Sequence, residues 1–115
     1  MELFAALRRK ELDRRERMRQ RMLEQVSRTL DRMREIYPFQ EAYIFGSLAV
    51  PYRFDPERSD VDIALEGLDG AYLFKAVAFL SGDLKRNVSV VLLEELEESP
   101  FKERILREGI RWKRP

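Results

Sequence analysis

From Glu2 to Ile36 the chain contains neither Gly nor Pro, and good helix formers dominate, which predicts one long helix or two consecutive ones. Met18, Met22, Val26, Leu30 and Met33 recur at spacings of three and four, with Leu23 and Ile36 beside them, as one apolar stripe. The stripe fails between Leu12 and Met18. There Asp13-Arg14-Arg15-Glu16-Arg17 brings opposite charges within i,i+3 and i,i+4 reach on a solvated surface. Pro38 ends the helix, and Glu41 to Phe45 reads as a short, mostly buried strand closed by Gly46. Leu48 to Ser59 holds Pro51 and Pro56 and no clean period, the pattern of a loop with room for one helical turn.

Asp60 to Leu65 alternates polar and apolar as a half-buried strand does, with Val61, Ile63 and Leu65 facing inward. Asp69 is placed to cap a helix over Ala71 to Leu80, whose buried stripe is Leu73, Ala76, Val77 and Leu80 and whose stop is Gly82. Val88 to Leu93 is a third strand. Ser99-Pro100 opens a last helix with Phe101, Ile105 and Leu106 inward and Gly109 at its end, followed by a short terminal strand at Ile110-Arg111-Trp112. The expected architecture is α/β of the α+β kind, a small mixed sheet backed by helices. One domain spans 1–115, with residues 1–36 as a helical extension and 41–112 as the core.

Composition narrows the chemistry. There is no Cys and no His, so disulfides, thiolate nucleophiles, the usual zinc sites and imidazole acid/base catalysis are excluded. Carboxylates, hydroxyls, cations and hard metal ions remain. No apolar run is long enough for a signal peptide or a membrane span, which makes the cytoplasm the expected location and a membrane partner unexpected. Net charge is +1, yet residues 1–36 carry eleven basic against seven acidic side chains. That excess could attract nucleic acid, but the segment lacks the aromatic platform that single strands stack on; a solvated face or a docking helix, including one that self-associates, suits it better.

Asp60 and Asp62 lie two apart on a predicted strand, so both side chains leave one face with Cα atoms roughly 6.6 Å apart. Asp is disfavoured within strands, and two on one face repel unless a cation compensates. Magnesium suits such a pair, since it takes one or two carboxylates and completes its shell with water and phosphate oxygens. Read alone, the pair also fits a solvated edge strand. Gly46-Ser47, directly after an apolar strand, adds a backbone that can approach a ligand closely and a hydroxyl that can hold phosphate oxygens.

Taken together, Ala42-Tyr43-Ile44-Phe45-Gly46-Ser47, a loop, and Ser59-Asp60-Val61-Asp62-Ile63-Ala64 resemble the signature of the minimal nucleotidyltransferases, within the polymerase-β-like superfamily. The resemblance spans roughly residues 25 to 112, with Asn87 to Val91 as the third strand and Pro100 to Ile110 as the closing helix. It implies a nucleotidyltransferase fold and a Mg²⁺-bound nucleoside triphosphate, ATP being the expected donor. The implied reaction is transfer of a nucleoside monophosphate to a hydroxyl. By the same resemblance Gly46 and Ser47 bind the donor's phosphates and Asp60 and Asp62 hold the metal. Many such proteins pair with a helical HEPN-domain toxin, and some adenylylate it on a tyrosine.

This chain departs from the pattern in three places. Leu48-Ala49-Val50-Pro51 stands where a small or basic segment such as Arg-Gly is common, and the loop of Leu48 to Ser59 is slightly long. Where the third strand usually supplies a carboxylate that binds metal and helps deprotonate the acceptor, the matching residue is Ser89, and a hydroxyl is no base near neutral pH. Glu66, Glu94 and Glu95 are near in sequence without an assignable role. Two other readings therefore accompany nucleotidyl transfer: an antitoxin-like subunit that binds nucleotide without transferring it, and a nucleic-acid module built on the Arg-rich helix.

Overall fold

The structure, a computed structural model, describes residues 2–113. Helix α1 runs unbroken over Glu2–Ile36, followed by β1 (Glu41–Phe45), β2 (Val61–Glu66), α2 (Leu73–Leu84), β3 (Val88–Leu92), α3 (Pro100–Glu108) and β4 (Ile110–Arg111). The strands form one sheet in the order β3-β2-β1-β4, with β1 antiparallel to β2 and β4, and β2 parallel to β3. The fold is α+β, a mixed sheet backed by helices. No helix among the described residues is long and apolar enough to cross a membrane.

Strand alternation divides the core. Ala42, Ile44, Val61, Ile63 and Leu65 face α1 and α2, where they meet Val26, Leu30, Met33, Ala76, Leu80 and Leu84 in one continuous cluster. The opposite face carries a smaller cluster in which Ile105 of α3 covers Ala64 beside Tyr43 and Phe45. Ala64 is as fully buried as its neighbours, so β2 is covered on both faces rather than half-buried as its alternation suggests.

The apolar stripe of α1 is narrower than its sequence implies. Val26, Leu30 and Met33 are fully buried, whereas Met18 and Ile36 are exposed. Further N-terminal, the charged stretch is a working contact. Arg19 is buried, pairs with Glu16 at 2.8 Å and donates to the Leu48 carbonyl at 2.9 Å. Glu16 in turn accepts from the Tyr52 amide at 2.8 Å. At a rise of about 1.5 Å per residue, 35 residues span roughly 52 Å. That nearly equals the 54 Å longest dimension of the molecule, and residues 2–10 are all exposed, Leu3, Phe4 and Leu7 among them.

Two helix boundaries differ from expectation. Asp69 does cap, accepting from the Ala71 amide at 3.0 Å, but it opens a single 3₁₀ turn over Gly70–Tyr72 before α2 begins at Leu73. Gly82 does not stop the helix. Burying Leu84 continues the stripe of Ala76 and Leu80, and this outweighs the cost of about 1 kcal/mol for a mid-helix Gly; Lys85 closes the helix in the left-handed conformation at φ 55°. In α3 only Ile105 is buried, while Phe101 and Leu106 are exposed, because the small second cluster has room for one inward side chain.

Candidate functional site

The end of the sheet where β1 finishes and β2 begins collects the candidate residues. Phe45 pairs with Asp62 in the antiparallel ladder, and Asp62 pairs with Ser89 in the parallel one. Gly46 follows Phe45 with φ +72°, a left-handed conformation that favours glycine. It opens a 3₁₀ turn over Gly46–Ala49 that includes Ser47. A methyl group built on Gly46 would stand 2.2 Å from Oδ2 of Asp62. The absence of a side chain at Gly46 is therefore what lets the backbone lie against this carboxylate. Gly46 and Asp62, 16 positions apart in sequence, are thus brought into direct proximity.

Asp60 lies just before the first ladder residue of β2, a shift of one from the expected strand start. Its backbone is fixed from both sides. The Val61 amide donates to the Asn87 carbonyl at 3.1 Å, and the Arg86 guanidinium donates to the carbonyls of Ser59 at 3.0 Å and Pro56 at 2.6 Å while stacking over the buried ring of Phe54 at 5.1 Å. The loop is closed on itself as well, with the Asp55 amide donating to Ser59 Oγ at 2.9 Å. From behind, α1 holds it through Arg19 and Glu16 and through Arg14, which reaches Glu57 at 2.9 Å.

Among the described residues neither the Asp60 nor the Asp62 side chain has a hydrogen bond or an ion pair. Burial, and secondarily the charge of Asp60, push the Asp62 carboxyl above its ordinary value. Two uncompensated carboxylates, one of them half-buried, form a site that favours a cation. Their donors are all oxygen, as a hard ion requires. No third acidic side chain joins them: no group of three or more metal-ligating side chains converges among the described residues. Ser89 occupies the place beside Asp62 on β3 and is exposed, while Val88 before it is buried. Glu66 lies at the opposite end of β2, paired in register with Glu41, and Glu94 is engaged with the Gly67 amide.

A groove of about 600 Å³ opens beside Gly46 and Ser47, between the 3₁₀ turn and α3. Phe45, Val50, Phe101 and Ile105 form its apolar wall, and Arg53 and Arg104 stand in it. Phe101 meets Phe45 edge to face with ring centres 5.8 Å apart. The sequence gives one sign of this groove, since Phe101, Arg104, Ile105 and Glu108 share a helical face. It gives none of Arg53, whose position depends on a loop anchored by Phe54. Compared with known protein families, with curated proteins and with solved structures, the chain shows no match.

Proposed function

We propose that this protein is a nucleotidyltransferase of the minimal kind, moving a nucleoside monophosphate from a Mg²⁺-bound nucleoside triphosphate, ATP in the first instance, to an acceptor hydroxyl. The observation that carries the reading is the close approach of Gly46 to the unpaired carboxylate of Asp62, with Asp60 beside it and Ser47 opening onto a groove. Asp60 and Asp62 would hold magnesium, which would supply neutralisation of charge on the phosphate oxygens. Ser47 and the amides of its turn would hold the donor's phosphates. The acceptor oxygen bonds to the α-phosphorus, the bond from that phosphorus to the α,β-bridging oxygen breaks, and pyrophosphate leaves. The acceptor's proton goes to solvent, because Ser89 can hydrogen-bond the hydroxyl but cannot take its proton near neutral pH.

A second reading, an antitoxin-like subunit that binds nucleotide without transferring it, is favoured by Ser89 itself, which stands beside Asp62 where a third carboxylate would have to be. In both readings a helical HEPN-type protein is the proposed partner. Calorimetry with ATP and magnesium tests their common ground: Asp60→Asn with Asp62→Asn should abolish binding, and undiminished binding would defeat both. Intact mass of the partner after incubation with ATP separates them. Ser89→Asp should raise the rate of incorporation, general-base help being worth about 10²–10⁴-fold. Efficient transfer by the parent and none by the variant would show that the missing carboxylate comes from elsewhere.

A further inference from the structure

The geometry points to Arg53 and Arg104 as the cationic grips of a polyphosphate site, seating the donor's phosphate tail in the groove between the Gly46–Ala49 turn and α3. This rests on the nucleotide-binding reading and adds to it two residues that the Gly-Ser and Asp-x-Asp motifs do not include. Arg53 comes from the loop after Ser47 and Arg104 from a helix 51 residues later, yet both line the one groove that Gly46 and Ser47 also line. Among the described residues, neither guanidinium has a hydrogen bond or an ion pair. The arginines that hold the frame are engaged by contrast: Arg14 and Arg19 with carboxylates and Arg86 with carbonyls.

Planar guanidiniums match phosphate oxygens with two parallel donors, and low-dielectric walls strengthen the attraction. The groove has such walls in Phe45, Val50, Phe101 and Ile105. Its one acidic lining residue, Glu108, is exposed and lies 3.5 Å from Arg107. The ligand is therefore a chain of phosphates with several anionic oxygens, such as the β- and γ-phosphates of a triphosphate. Its α-phosphate would then lie toward Asp62, which Gly46 adjoins.

The test uses sodium tripolyphosphate without magnesium, titrated into the full chain at low ionic strength and followed by calorimetry. The parent should bind it. Arg53→Gln and Arg104→Gln should each weaken binding about tenfold, the effect of losing one charge-assisted contact. Arg28→Gln, which removes an equal charge from an exposed position on α1 outside the groove, should leave affinity within about twofold. No binding by the parent, no loss in either groove variant, or an equal loss in Arg28→Gln would overturn the inference. Its failure is separable from that of the proposed function. Neutral groove variants together with loss of Mg-ATP binding in the Asp60→Asn, Asp62→Asn protein would sink the groove alone. Arginine-dependent tripolyphosphate binding with undiminished Mg-ATP binding in that double variant would leave the groove an anion site and remove the transferase reading.

Discussion

Replacing Gly46 with Ala is the sharpest perturbation of the proposed site, because the structure says what the added methyl group meets. The backbone at Gly46 has φ +72°, where a residue with a Cβ costs about 1–2 kcal/mol more than glycine. The new Cβ would lie 2.2 Å from Asp62 Oδ2 and 3.2 Å from its Cγ, so the carboxylate must swing away at about 1 kcal/mol for an unfavourable rotamer. Against this, Ala stiffens the unfolded chain and returns about 0.4–1 kcal/mol. The net loss is about 1–2.6 kcal/mol, which lowers the melting temperature of a domain this size by about 5–15 °C. Gly82 supplies the internal comparison. It is exposed within α2 with nothing inside 4 Å of a built Cβ, so Gly82→Ala should stabilise by up to about 1 kcal/mol. Thermal melts followed by circular dichroism read both, and calorimetry with Mg-ATP reads the site. Gly46→Ala should lose nucleotide binding while remaining folded at 20 °C. A Gly46→Ala protein that melts and binds like the parent would refute both the left-handed backbone and the carboxylate contact.

Two further outcomes follow from the electrostatics. The Asp62 carboxyl is raised above its ordinary 3.8 on folding, so its ionisation costs stability as the pH rises through that region. Asp62→Asn should therefore melt above the parent at pH 7 without magnesium, with the advantage vanishing below pH 3.8; a variant that melts lower at neutral pH would contradict the uncompensated site. Glu16 shows the opposite sign, held down to about 2 by the Arg19 hydrogen bond first and the Tyr52 amide further down. Its contribution is present above about 4.5 and lost as the pH falls toward 2, and after allowance for solvent screening it is about 1 kcal/mol. Arg19→Ala should cost about 3 kcal/mol at pH 7 and less at pH 3 in urea titrations, because the Leu48 carbonyl and Glu16 both lose their buried partner. An equal cost at both pH values would show that the pair does not act through charge.

What could be read from the sequence was whatever depends on local periodicity and on fixed turn residues. Strand β1, the Ser99 cap and the apolar stripe through Val26, Leu30 and Met33 are of this kind, and so is the facing of Ser89, since alternation along β3 and adjacency to β2 fix it together. Contacts across the chain were not legible. Arg19 looks like any other charge on an Arg-rich helix, and only the path of the 48–59 loop makes it the buried partner of the Leu48 carbonyl. Gly82 carries the usual stop signal, and the burial of Leu84 overrules it. Phe101 and Leu106 follow the helical period, but how many apolar positions of α3 become buried depends on the area of the second core, which no local pattern records. Of the candidate residues, Gly46, Ser47, Asp60 and Asp62 stand out in the sequence as motifs, whereas Arg53 and Arg104 do not, because they come to line one groove only through the tertiary fold.

The same tertiary contacts bear on why a long charged helix accompanies so small a sheet. The loop between Ser47 and Asp60 joins the two halves of the proposed site, and a free loop of that length would leave Arg53 and the lead-in to Asp60 poorly fixed. Helix α1 holds it along its length: Arg19 at the Leu48 carbonyl, Glu16 at the Tyr52 amide and Arg14 at Glu57. Tyr52 needs such support, because its φ of 64° is a left-handed conformation unfavourable to an aromatic residue. Residues 11–19 thus have a task at the site, while residues 2–10 touch none of it and leave Leu3, Phe4 and Leu7 in solvent. The helix divides into an anchored part that shapes the loop and a projecting part that does not, and a perturbation of its position near Glu16 and Arg19 would be transmitted to Arg53 through the loop they hold.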